Sequence, residues 1–218
     1  MQTNTLDAFL DRYISGYLLD DIESIQSKIP VSDEGNGAYL VTGAICSGIE
    51  LLGTLLQEHK ESGAFPFDHY CAHYLSEVDE RYKALGVFGR QLIRNGIAHT
   101  FSTKGLIAVT RQGSRENTHL VRYSKSELLV INANYLHEDF QAAYTEHALP
   151  KLVMGGELRD RAEENYERLK NKYAGEIEEA RNQAKNKLKS WPWRHAELEP
   201  WDGMTEMIEY NGEGFGVS

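Results

Sequence analysis

Arg94, Asn95 and His99 are the residues whose types and spacing best suit chemistry on a phosphodiester. They stand in the segment RNGIAH, residues 94–99, directly after the apolar QLI. A histidine, with an ordinary pKa of about 6.5, can take up and release a proton at neutral pH. An arginine keeps its charge and can direct two N–H donors at phosphate oxygens. The set therefore suits chemistry at a phosphodiester, in which His99 would move protons, Arg94 would shield the phosphate and Asn95 would orient the reacting group.

This segment resembles the R-x4-6-H motif of the HEPN superfamily, in which a polar residue typically follows the arginine. In that family the motif lies near the end of a helix within an α-helical bundle, and the resemblance here covers roughly residues 5–155. It implies a metal-independent endoribonuclease without a cofactor, whose composite site forms across a homodimer. It also implies a role in toxin or antiviral defence systems.

The spacing of the pair bears on how such a site would be built. Residues five apart on an ideal helix point about 140° away from each other. Arg94 and His99 therefore cannot meet closely on an intact helix within one subunit. Two arrangements would bring them together: Gly96 could end or bend the helix between them, or two chains could pair symmetrically.

A structural interpretation of the same residues stays open beside the catalytic one. Arg94 would then pair with an acidic neighbour such as Asp79 or Glu80, and His99 would interact with the negative end of the helix dipole. Gly96 would simply allow close packing. The alternative function is a non-catalytic HEPN-like protein-interaction or ligand-binding module, in which the C-terminal helix and tail bind a partner.

Other chemistry-bearing residues favour structural roles. His69 and His73 have a spacing that can bind a metal on a helix face, but the sequence HYCAH lacks the glutamate of HExxH, so we expect no metal site. Cys46 and Cys71 lie in apolar helical patterns and are expected to be reduced and buried in a reducing compartment. The chain has no GxGxxG or GxxxxGK[ST] phosphate loop.

Charge limits where RNA could bind. A formal net charge of −10 argues against a general electrostatic attraction to nucleic acid, but leaves room for a local basic surface. The end of the long C-terminal helix offers one, because its last stretch contains no acidic residue. The candidate RNA contacts there are Arg181, Lys185, Lys187 and Lys189.

The elements that must position these residues are mostly helices. Apolar residues at intervals of three and four predict helices over residues 5–29, about 38–60 and 133–153. Residues 68–98 form either one bent helix or two, and Asp68 is the expected N-cap. Pro150 is expected to interrupt the helix at 133–153. The second helix is apolar nearly all round and is expected at the centre of a bundle.

The helical sequence pattern ends after the motif. Short β-branched runs at about 103–132 predict a small antiparallel sheet or hairpin. Residues 157–189 are strongly helix-forming and charged, with a thin apolar stripe. The predicted fold is mainly α, a HEPN-like helical bundle with a small antiparallel β insertion and a long C-terminal helix. Its parts are the bundle at 1–155 with the insertion, the charged helix at 156–190 and an acidic aromatic tail at 191–218.

The N-terminal sequence MQTNTLDAFLDRY lacks the basic and apolar regions of a secretory signal. We expect no stretch of the chain to approach the roughly 20 apolar residues that cross a bilayer. The expectation is therefore a cytoplasmic protein that does not contact membranes.

Overall fold

Helices dominate the molecule and surround one hydrophobic core. The computed structural model describes residues 5–32, 36–58, 65–100, 103, 105 and 107–187. The predicted architecture is confirmed, with a mainly helical body, a small sheet and a long C-terminal helix. The principal helices are α1 (6–28), α2 (Ala38–Leu56), α3 (66–78), α4 (82–100), α6 (133–153) and α7 (Glu157–Lys187), with a short helix α5 (Arg115–Thr118) beside the sheet.

Helix α2 lies at the centre of the bundle, as its sequence predicts. Eleven of its residues are buried, and it packs against α3, α6 and α7. Close approach depends on Gly53, because a Cβ at this position would overlap the carbonyl oxygen of Pro66 at the start of α3. By length and composition alone α2 could cross a membrane, so the expectation that no stretch approaches that length is wrong. The burial of most of its side chains within the bundle is typical of a core helix.

Residues 66–100 form two helices rather than one. The break falls at 79–81, where the Asp79 carboxylate accepts hydrogen bonds from the backbone N–H and the guanidinium of Arg81. Asp68 is not the N-cap of α3, because Phe65 occupies that position and Pro66 is the first helical residue. Proline suits this place, since the first helical N–H has no partner within the helix.

Helix α6 continues through Pro150 instead of breaking there. A π-helical turn, Ala143–Ala148, directly precedes the proline. The wider turn shifts the hydrogen-bond pattern just where proline supplies no N–H and crowds the preceding turn. The helix stops at Val153, and Gly155 and Gly156 follow with φ angles of 79° and 89°. These left-handed conformations favour glycine.

The insertion is a mixed three-stranded sheet of order β1–β3–β2, comprising Ile107–Thr110, Val121–Tyr123 and Leu128–Asn132. Strands β2 and β3 form the expected antiparallel pair, but β1 runs parallel to β3. The expectation of a wholly antiparallel sheet is therefore wrong. Residues 111–120, which include α5, carry the chain across the sheet so that β1 joins the far side of β3.

Arg111 anchors this sheet to the bundle. Its side chain is almost fully buried and donates hydrogen bonds to the backbone carbonyls of Gln26, Ile29 and Asn36, which lie at and beyond the end of α1. It also donates to the side-chain oxygen of Asn134 in α6. Burial lowers the pKa of this guanidinium. Carbonyl oxygens thus take the place that a carboxylate would usually hold.

The first half of α7 belongs to the bundle, whereas its second half does not. Ala162 and Tyr166 are buried in the common core. Asn165 donates hydrogen bonds to the carbonyls of Leu55 and Gln57 at the end of α2. From residue 171 to residue 180 every residue is exposed. The helix therefore extends past the body with a polar surface and few apolar side chains.

Candidate functional site

The side chains of Arg94 and Asn95 contact each other near the C-terminal end of α4. Arg94 Nη1 donates a hydrogen bond to Asn95 Oδ1 over 3.0 Å. Arg94 Nε donates to Glu50 Oε2 of α2 over 2.6 Å. The side chains of Arg94 and Glu50 are 35% and 34% exposed, so water and solutes reach both. A charged group, an amide and a carboxylate thus meet at the solvent boundary of the bundle.

Helix α4 remains helical on both sides of Gly96. A π-helical turn, Arg90–Arg94, is followed by α-helical residues Asn95–Thr100. Gly96 therefore does not end the helix. His99 lies in the last turn, as the motif predicts, and its side chain falls outside the described part of the structure. Residues Asn95–Thr100 are α-helical throughout, so the positions of Arg94 and His99 are about 140° apart around the helix, as the spacing predicts.

The acidic partner of Arg94 is not one that the sequence suggested. We expected Asp79 or Glu80, but Asp79 pairs with Arg81 and Glu80 with Lys83. Glu50 is 44 residues from Arg94 in the chain, and packing of α2 against α4 brings them together. No local spacing signals this contact.

Cys46 lies one turn before Glu50 on α2 and is fully buried. Burial raises the pKa of its thiol to about 12, and the nearby positive charge of Arg94 opposes this only in part. The thiol is therefore protonated and unreactive at neutral pH. Cys46 and Cys71 are both free and buried, which confirms the prediction of two reduced thiols.

A second polar cluster, which sequence reasoning missed, is buried between the sheet and the bundle. His119 Nε2 lies 2.9 Å from Asp139 Oδ2 and 3.0 Å from the hydroxyl of Tyr82, which itself donates to Asp139 Oδ2 over 2.8 Å. Arg115 Nη1 donates to Asp139 Oδ1 over 2.8 Å. His119 and Tyr82 are completely buried. Tyr82, His119 and Asp139 are therefore closed to substrates, whereas Arg115 is partly exposed, and the cluster joins the insertion to α4 and α6.

The pKa values of Tyr82 and Asp139 in this cluster are shifted in opposite directions. Burial raises the pKa of the Tyr82 hydroxyl well above its ordinary value, and the Asp139 charge adds to the effect. Burial also acts to raise the pKa of Asp139, but hydrogen bonds with His119, Tyr82 and Arg115 outweigh it and leave that pKa lowered. Asp139 is thus a buried carboxylate that stays ionised.

The structure describes only some of the other residues that the sequence singled out. The rings of His69 and His73 have centroids 4.5 Å apart and planes tilted by 42°. Among the described residues, no group of three or more histidine, cysteine, aspartate or glutamate side chains is arranged to hold a metal. Lys187 is exposed at the end of α7. The side chains of Arg181 and Lys185, all of Lys189 and the tail at 191–218 lie outside the described part.

Fold and site together define a mainly α protein in which an arginine–asparagine pair stands on the penultimate turn of a bundle helix. Comparisons with protein-family models, with curated proteins and with solved structures found no match for this chain.

Proposed function

We propose that this protein is a metal-independent endoribonuclease of HEPN type in which Arg94, Asn95 and His99 act on RNA. The observation that carries the proposal is the contact between Arg94 and Asn95 on an accessible helix end, one turn from His99. A guanidinium beside an amide can bind two oxygens of one phosphate. The resemblance in the sequence supplies the reaction class.

Glu50 supports this assignment by fixing the guanidinium. An ion pair exposed to this degree contributes only about 0–1 kcal/mol to stability, so its value as a structural contact alone is small. Held at Nε, the planar guanidinium keeps its positive charge and a defined orientation. A hydrogen-bond donor that is already oriented before the substrate binds stabilises the negative charge that develops in the transition state more effectively.

The reaction needs two proton transfers, which favours a dimeric site. The 2′-oxygen attacks phosphorus and loses its proton to one imidazole, while the bond from phosphorus to the 5′-oxygen breaks and that oxygen receives a proton from an imidazolium. The products are a 2′,3′-cyclic phosphate and a 5′-hydroxyl. Symmetric pairing of two chains would supply two histidines and two arginines to one cleft. A role in toxin or antiviral defence systems is proposed on the resemblance alone.

RNA cleavage in the presence of EDTA tests the proposal. The wild-type protein should release 5′-hydroxyl ends from RNA with and without EDTA. His99→Ala and Arg94→Ala should each lower the rate by about 100-fold or more, as for loss of a general acid–base or an oxyanion donor. Matched controls are His147→Ala and Arg122→Ala, which lie on other elements. Cleavage that survives both substitutions in the motif would rule out these residues as catalysts.

A second candidate function is the non-catalytic interaction or ligand-binding module. The observation that favours it is the Glu50–Arg94 pair, because the carboxylate already balances the arginine's charge and so lowers its attraction for phosphate. Cleavage by the wild-type protein separates the two, since a scaffold cleaves no RNA. In an enzyme, Glu50→Gln should change the cleavage rate while the midpoint of urea unfolding stays within the small range expected of an exposed pair.

A further inference from the structure

An aromatic groove lies on the surface where α1 faces α7. It encloses about 260 Å³, and its walls are Phe9 and Tyr13 of α1 together with Tyr166, Leu169, Tyr173 and Ile177 of α7. The rings of Phe9 and Tyr166 contact each other in this lining, with centroids 5.0 Å apart. We call this feature the α1–α7 groove. It shares no residue with the Glu50–Arg94–Asn95 cluster, so its role is independent of the proposed function.

The upper walls of the groove expose large apolar side chains to water. Tyr13 is 41% exposed, Tyr173 48% and Ile177 40%. Most of the other residues on this part of α7 are charged, as in EEAR and NKYAGE, so the apolar residues stand out as a strip in a polar surface. Clustered exposed apolar side chains with a polar rim mark a contact surface.

The chain itself provides a segment suited to this surface. All three tryptophans of the protein, Trp191, Trp193 and Trp201, lie after α7 in residues 191–218. Tryptophan is the side chain that gains most from an aromatic, partly desolvated contact. The described part of α7 ends at Lys187, and this helix is also one wall of the groove. The segment therefore follows, in sequence, a helix that lines its proposed binding site.

Chain length allows the segment to reach the groove. Ile177 lies ten residues before Lys187, or about 15 Å along the helix, and Tyr166 lies about 32 Å away. An extended chain spans up to about 3.5 Å per residue, so Trp193 can return about 21 Å and Trp201 about 49 Å from Lys187. Trp193 thus reaches the outer end of the groove, and Trp201 reaches its inner end.

Charge also favours a return along α7. Residues 191–218 contain six acidic residues and one arginine, whereas Arg181 to Lys189 contain four basic residues and no acid. At the groove, Lys170 lines the wall and the Arg12 guanidinium lies 5.8 Å from the Tyr13 ring centroid. Several charges at the groove are paired with one another, Asp7 and Glu163 with Arg159 and Glu167 with Lys170, so the stretch rich in positive charge is the end of α7.

We propose that residues 191–218 fold back along α7 and insert tryptophan side chains into the α1–α7 groove of the same chain. A tethered segment has an effective concentration on the order of 1 mM, so even a contact with a dissociation constant of about 0.1 mM would keep the segment bound most of the time. When Trp201 occupies the groove, Glu197 and Glu199, which precede it in the chain, lie on the returning path beside the basic end of α7.

Tryptophan fluorescence of the full-length protein tests this directly, because every tryptophan is in the segment. In the wild type, emission should lie at shorter wavelength than in urea, and acrylamide should quench it less. Ile177→Glu and Tyr13→Ser change opposite walls of the groove at exposed positions, so each should shift emission toward the urea value without loss of helical circular dichroism. Met154→Glu is the matched control, since Met154 is 78% exposed outside the groove.

Dilution separates binding within one chain from binding between two copies. Shielding that is constant over a 100-fold dilution, lost in both groove variants and kept in the control supports the proposal. Shielding that falls as the protein is diluted would overturn it in favour of a second copy as the occupant. Wild-type emission equal to that in urea, shielding unchanged in both groove variants, or equal loss in Met154→Glu would overturn it as well.

Discussion

Asp139 holds together the buried cluster that connects the insertion to the bundle. Its carboxylate accepts hydrogen bonds from Tyr82 of α4 and Arg115 of α5, and it lies 2.9 Å from the ring of His119. A buried carboxylate is costly unless its oxygens are satisfied. Here three elements supply the partners, so the charge is stable only while all three are in place.

Replacing Asp139 with asparagine should destabilise the protein at neutral pH and less so in acid. The pKa of Asp139 is lowered in the folded protein. Its carboxylate therefore stabilises the fold above the unfolded-state pKa of about 3.9, and this contribution is lost as the pH falls through the folded-state pKa. Asp139→Asn should cost about 1.5–3 kcal/mol at pH 7, because Tyr82, His119 and Arg115 lose hydrogen bonds with a charged acceptor.

Urea unfolding at a series of pH values from 7 to 3 measures this difference. The gap in unfolding free energy between wild type and Asp139→Asn should narrow below about pH 4, where the wild-type carboxylate begins to lose its advantage. Asp20→Asn, at an exposed position in α1, is the control and should change stability by less than about 0.5 kcal/mol. A gap of constant size down to pH 3 would contradict a lowered pKa for Asp139.

At the scale of elements, the crossing of α2 and α3 is set by Gly53. A methyl group there would overlap the backbone of Pro66 rather than a movable side chain. The two helices would have to separate, and separation disturbs a core that includes Phe67 and Leu52. The small residues of α2 thus fix where α3 begins.

Gly53→Ala should therefore lower the unfolding free energy by about 1–3 kcal/mol, in spite of the better helix propensity of alanine. Gly175→Ala is the matched control, because it makes the same change on α7 where no atom lies within 4 Å of the new methyl group. That substitution should stabilise by up to about 1 kcal/mol. Denaturation midpoints for the two variants should move in opposite directions, and equal shifts would contradict a close contact at Gly53.

The local sequence pattern predicts the positions of the helices well, but it predicts poorly which elements and side chains contact one another. Periodicity located α1, α2 and α6 because each buries one face or nearly all of itself. It missed the parallel pairing of β1, which is set by the path of residues 111–120, and the π-helical turn that admits Pro150. It also missed the contact of Arg94 with Glu50, because this depends on helix packing between residues far apart in sequence.

At the scale of the molecule, the candidate site lies at one end of α4. Among the described residues, the only acidic side chain that contacts Arg94 is Glu50 of α2. One chain offers one arginine and one histidine, about 140° apart around the helix. On one helix the two side chains cannot reach the same phosphate. They can do so if two chains bring the ends of their α4 helices together about a twofold axis.

Mixing two inactive variants tests this arrangement. In a shared cleft, an Arg94→Ala chain contributes His99 and a His99→Ala chain contributes Arg94, so their heterodimer holds one arginine and one histidine from opposite chains. If the two chains are co-expressed with different tags and the heterodimer is purified, RNA cleavage should rise well above that of either variant alone. It should stay below the wild-type rate, because the single imidazole must first accept the 2′-proton and then donate a proton to the 5′-oxygen. Random pairing would place about half of the dimers in this mixed form.

The control for this experiment is a heterodimer of each single variant with the double variant Arg94→Ala/His99→Ala, in which one of the two groups is absent from the cleft. These dimers should stay inactive. Recovery confined to the complementary pair would require that Arg94 and His99 act across two chains, which agrees with the unbroken helix at Gly96. A complementary heterodimer as inactive as its parents would contradict a site shared between subunits, because no path along one α4 helix brings the two residues to one phosphate.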